Sequence, residues 1–60
     1  MRYQVGSRVR LRVDKVYADG SRIPAGTRGT VQKVYPISES YLVLFEGFAP
    51  ARKVPDRDLE

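Results

Sequence analysis

The chain has no cysteine, no histidine and no tryptophan. Without cysteine there is no disulfide, thiolate ligand or thiol nucleophile. Without histidine the commonest general base and the usual zinc ligand are missing too. Long hydrophobic runs are also absent. The most extended, YLVLF at Tyr41–Phe45, falls far short of the ~20 residues that cross a bilayer. The opening MRYQVGSR has no apolar core of the kind a signal peptide carries. A cytoplasmic protein without membrane contact is expected. Nor is there a stretch with the apolar spacing of an amphipathic helix. Four prolines and five glycines in 60 residues weigh further against long helices.

What remains is a small, basic, turn-rich chain. Sixty residues allow one domain, 1–60, which would bury roughly 60% of its unfolded surface. The net charge is +4 and unevenly spread. Residues 1–35 carry eight basic and two acidic side chains, and residues 36–60 carry three basic and five acidic. An excess of basic charge favours acidic partners, although +4 also lies in the range that serves solubility alone.

Turn signals at Gly6-Ser7, Asp19-Gly20, Pro24-Ala25-Gly26, Pro36–Ser40, Gly47 and Pro50 cut the chain into short segments, the pattern of an all-β domain. The first, RVRLRV at Arg8–Val13, alternates strictly and is expected to form a strand from Ser7 to Lys15. Val9, Leu11 and Val13 would face inward and Arg8, Arg10 and Arg12 outward, roughly 6.6–6.8 Å apart. A long loop, Val16–Arg28, follows, with Ile23 tucked into the core. In the second strand, Gly29–Tyr35, the valines at 31 and 34 are three apart. An extra residue near Gln32 or Lys33, a β-bulge, would return both to one face and bend the strand. The third strand, YLVLFE, presents Tyr41, Val43 and Phe45 on one side and Leu42 and Leu44 on the other. A fourth, about Ala49–Val54, is followed by a one-turn 3-10 segment at Pro55–Leu59 and a last short strand or tail. The expected core is Val9, Leu11, Val13, Ile23, Val31, Val34, Tyr41, Val43, Phe45, Val54 and Leu59.

GSRVRLRV, IPAGTRGTVQKVY, YLVLFEGF and KVPDRDLE together resemble a small five-stranded SH3-like barrel with a long first loop. The resemblance spans Val5 to Leu59. It is to the electron-transport accessory superfamily, which holds the small accessory barrel of photosystem I, the ferredoxin–thioredoxin reductase variable chain and the nitrile hydratase β-subunit barrel. Related small bacterial barrels share the same pattern. It implies docking of an acidic, ferredoxin-like protein, or support of a larger enzyme, through basic surface residues. Type II dihydrofolate reductase is similar in GxRVR and the terminal LE, but its late-strand VQIY is replaced here by ARKVP, Ala51–Pro55. KOW-type nucleic-acid-binding barrels share the element Gly26-Thr27-Arg28-Gly29-Thr30-Val31, placed about ten residues later here than in that family.

The basic residues expected to meet a partner are Arg8, Arg10, Arg12, Arg28 and Lys33, with Tyr17 and Tyr35 as candidate stacking rings for nucleic acid. The bland alternative is a charged lining that protects an edge strand. Leu42 and Leu44, with Phe48, read as an oligomer or host-complex face, unless the Val16–Ile23 loop covers them. Catalysis, cofactor and metal are not expected. Asp56 and Asp58 are placed to cap the turn or balance Arg57, and Ser38-Glu39-Ser40 signals a turn. The leading expectation is a non-catalytic module docking an acidic protein. The alternatives are a KOW-like nucleic-acid binder using the same arginines and a stabilising subunit of a larger enzyme complex.

Overall fold

A computed structural model describes residues 2–60 and is all-β, with a single 3-10 turn. Six strands form two sheets: β1 (Arg8–Arg10), β2 (Lys15–Val16), β3 (Arg22–Ile23), β4 (Arg28–Tyr35), β5 (Ser40–Phe45) and β6 (Phe48–Pro55). The main sheet is antiparallel in the order β1-β4-β5-β6, and β2 and β3 form a separate two-stranded ribbon. Among the described residues no helix is long and apolar enough to cross a membrane.

The core follows the period-two pattern. Val9, Leu11, Ile23, Val31, Tyr41, Val43, Phe45, Val54 and Leu59 are buried as one cluster, with Tyr3, Tyr17, Val34 and Phe48 packed against it. The bulge is where the valine spacing requires it: Val31 pairs with Val43 and Lys33 with Leu42, leaving Gln32 as the extra residue. Val34 thereby returns to the inner side, where it is half-buried.

Strand β1 is shorter than its alternation implies, and Val13 is 43% exposed rather than core. The chain bends at Arg12 and Val13, next to where Leu11 meets Leu59. Leu11 bridges to Leu59, the backbones of Arg10 and Glu60 exchange two 2.8 Å hydrogen bonds, and the Arg12 N–H donates to Asp58 O. The expected loop contains the β2–β3 ribbon. Its turn is tightened by the Ser21 N–H donating to Asp19 Oδ1, and its base is held by the Ala25 N–H donating to Asp14 Oδ1. The main sheet therefore has two ends, β1 and β6. The Leu11–Leu59 bridge and the Arg10–Glu60 bonds, after the 3-10 turn Asp56–Asp58, link the C-terminal residues to the end of β1, where a continuous five-stranded barrel was expected.

Candidate partner-binding face

Alternation sets which side chains leave the core on the outer side of the main sheet. Arg8 and Arg10 flank buried Val9, Arg28 and Thr30 flank buried Gly29, and Leu42 and Leu44 alternate with buried Tyr41, Val43 and Phe45. On β6, Lys53 precedes buried Val54. Register then arranges them in rows. Arg10 lies opposite Arg28. Arg8 lies opposite Thr30, which lies opposite Leu44. Lys33 lies opposite Leu42, which lies opposite Lys53. The result is a leucine centre on β5 with cations on either side of it.

Leu44 is 38% exposed and Leu42 half-buried. The ribbon does not cover them. It folds over the other side of the sheet, where Arg52 donates at 2.8 Å to both Asp19 Oδ2 and Ser21 Oγ and lies over the Tyr17 ring. The opening beside Leu44 is lined by Phe48, Gly47 and Ala49 together with Thr30 and Glu46, and Phe48 also packs against the core.

The charges on this face differ in what they already hold. Arg8 pairs with Glu46, and Arg10 with Glu60 at 2.8 Å. Among the described residues no carboxylate lies within 4.0 Å of Arg28, Lys33 or Lys53, or of Arg12 and Arg57 elsewhere. Arg28 also stands directly across from Arg10, a like-charge arrangement that costs stability in a sheet. With Arg8, Val9 and Glu60 these two arginines line a shallow depression.

Three of the expected site residues are placed differently. Arg12 leaves the row, since the bend turns its guanidinium toward the 3-10 turn, where Nη1 donates to Arg57 O at 3.1 Å. Tyr17 is half-buried under Arg52, 4.9 Å from its guanidinium carbon. Tyr35 is half-buried with the Lys53 ammonium 4.8 Å from its ring centroid. Both rings are thus faced by a cation of the chain itself. Lys53, outside the expected set, joins the face because its alternation with Val54 points it outward.

A second polar cluster sits at the C-terminal turn. Asp56 accepts from the Tyr41 hydroxyl and from Arg2, and Tyr41 Oη accepts from the Tyr3 N–H at 3.2 Å. Asp58 holds Lys15 at 2.8 Å. The expectation that they cap the turn or balance Arg57 is not met: the turn has no side-chain cap, and each aspartate serves a cation brought from a distant part of the chain. The Tyr41 hydroxyl, ahead of Arg2, holds the Asp56 carboxyl below its ordinary value. Burial, then the hydrogen bond to Asp56, pushes the Tyr41 phenol up. Arg52 and Ser21 hold the Asp19 carboxyl down to about 2.

No family model, curated protein or solved structure matches the chain.

Proposed function

We propose that the chain is a non-catalytic SH3-like barrel acting in the cytoplasm as an interaction or accessory module, docking an acidic protein through the outer face of its main sheet. The barrel reading draws on the strand order, the 3-10 turn and the Leu11–Leu59 bridge, which brings the C-terminal residues alongside β1. The functional reading rests on one observation: among the described residues Arg28, Lys33 and Lys53 stand without carboxylate partners around half-buried Leu42 and exposed Leu44 of β5. A solvated face has no need of the leucines, and an apolar patch alone has no need of the cations.

Two features favour a protein over a nucleic acid. The centre of the face is aliphatic, whereas single-strand binders place stacking rings among their cations, and here Tyr17 and Tyr35 already face Arg52 and Lys53. Arg8 and Arg10 already grip carboxylates, the group an acidic protein would bring. A second copy of the chain is a poor occupant, because two such faces meeting about a two-fold axis would oppose cation to cation.

The test is an amide NMR titration with acidic peptides rich in Glu and Leu and, separately, with short single- and double-stranded DNA. The peptides are expected to shift Arg8, Arg28, Lys33, Leu42, Leu44 and Lys53 and to retain binding at about 0.15 M salt. Leu44→Ser should weaken the peptides and leave DNA unaffected. Tighter DNA binding with a log–log salt slope of roughly −2 to −3, indifferent to Leu44→Ser, would replace this reading with the nucleic-acid one. An unmoved face in both titrations would end it.

A further inference from the structure

Resting on that reading, we infer that the segment this face takes is an acidic amphipathic helix lying along β5, with apolar side chains on Leu42 and Leu44 and carboxylates on both flanks. The spacing of the face is what selects a helix. Lys33 and Lys53 are the cross-strand partners of Leu42 on its two sides, so their backbones are two strand spacings, about 9–10 Å, apart. That gap matches a helix about 10–12 Å across; Lys33 stands on one flank, and the Lys53 ammonium, which lies 4.8 Å from the Tyr35 ring centroid, leaves that ring to meet a carboxylate on the other. Along the strand, Leu42 and Leu44 are roughly 6.6–6.8 Å apart, close to the ~6 Å rise between helical residues i and i+4. Beyond Leu44 the opening beside Phe48 and Ala49, lined also by Thr30 and Glu46, extends the track, and Arg28 continues the cationic flank on the β1–β4 side next to Arg8, which Glu46 pairs.

Backbone chemistry points the same way. Strands β4 and β5 are interior to the sheet, so their N–H and C=O groups are engaged by neighbours and offer nothing to a segment lying on top. An extended segment would bring unpaired N–H groups to a face whose polar groups, at its sides, are Arg and Lys donors. A helix satisfies its own backbone and needs from the face only apolar contact and charge.

The experiment compares three synthetic peptides of roughly 15 residues, the length at which isolated helices begin to be populated. The first has leucines at helical i, i+4 spacing with glutamates on both flanks. The second is the same peptide with proline at a central polar position. The third keeps the composition in scrambled order. Each is titrated into the protein and followed by amide NMR and circular dichroism. The first should bind, gain helicity and shift Lys33, Leu42, Leu44 and Lys53. The proline peptide should bind roughly tenfold or more weakly, since proline is excluded from a helix interior. Lys33→Glu and Lys53→Glu should each weaken the first peptide by a similar factor, since the helix is flanked on both sides. Equal binding by the helical and proline peptides, or weakening by only one of the two lysine changes, overturns the helix while leaving an acidic partner in place. If none of the three peptides shifts the face, the acidic-partner reading fails with it.

Discussion

At the scale of single residues, the tightest constraint in the sheet is Gly29. A Cβ there would lie 2.7 Å from Val43 Cγ1 and 2.8 Å from the Leu44 carbonyl oxygen. The second of these is backbone and cannot swing aside. Gly29→Ala should therefore destabilise by about 2 kcal/mol or more, within or above the usual range for overpacking, as measured by urea unfolding. An effect below ~0.5 kcal/mol would mean that β4 and β5 can separate locally at little cost. Tyr41→Phe tests the other constrained site. It leaves the Asp56 carboxylate without its hydroxyl donor and the Tyr3 N–H without an acceptor, for an expected loss of about 1–3 kcal/mol. The Asp56 carboxyl should move up toward its ordinary value at the same time, because the Tyr41 hydroxyl is the largest influence holding it down. An Asp56 titration unchanged in the variant would mean that this hydrogen bond does not form in solution.

At the scale of elements, the link between the two ends of the chain is the part most dependent on one side chain. Leu59 is fully buried and bridges to Leu11. The 3-10 turn before it contributes no buried residue of its own. Leu59→Ala should cost about 2–5 kcal/mol, as for other buried leucines. The loss should be local first. Hydrogen exchange should speed up at the Arg10, Arg12 and Glu60 amides, which make the linking bonds, before it does in the centre of β4 and β5. Uniform acceleration across the sheet would show instead that the link and the sheet open as one unit. The bulge at Gln32 was legible because Val31 and Val34 cannot both be core in an unbroken strand. The early end of β1 was not, since RVRLRV alternates through Val13 with no local stop signal. What ends the strand is Leu59 and Glu60, which reach Arg10 and Leu11 from the far end of the chain.

At the scale of the molecule, charge is nearly all accounted for by pairing. Among the described residues six carboxylates sit in six ion pairs, which leaves Glu39 outside them, along with five cations. These five against Glu39 are the net +4, and three of them share the outer face of the main sheet. The pH dependence follows from the carboxylates. Asp14, Asp19 and Asp56 are all held below the ordinary value, Asp19 to about 2. A lowered folded value means the unfolded chain takes up protons first as pH falls. Their stabilisation is therefore complete above the unfolded value of about 3.9 and is lost as pH drops from there through about 2, where Asp19 protonates in the folded state. With no histidine, no side chain of ordinary pKa titrates between about pH 5 and 8. Thermal midpoints should be flat across that window and decline below about pH 4. A decline beginning near pH 6 would point to a titrating group other than these aspartates.

Order along the chain was enough for the all-β class, the inward set from Val9 to Leu59 and the bulge. Each is a statement about period two, which neighbours in sequence enforce through the pleat. That Leu42 and Leu44 emerge opposite Tyr41, Val43 and Phe45 was legible for the same reason; that Arg28 and Lys33 stand beside them was not, since the cations and the leucines read as two separate faces. Only the folded chain decided that Arg12 leaves the row and Val13 leaves the core, that Tyr17 and Tyr35 lie against Arg52 and Lys53, and that the ribbon packs away from the leucines. It also decided that Lys53 completes the face opposite Lys33. Those outcomes depend on which distant segment arrives beside each residue. Alternation sets the side of a strand on which a side chain emerges, and register and chain closure set what it meets there.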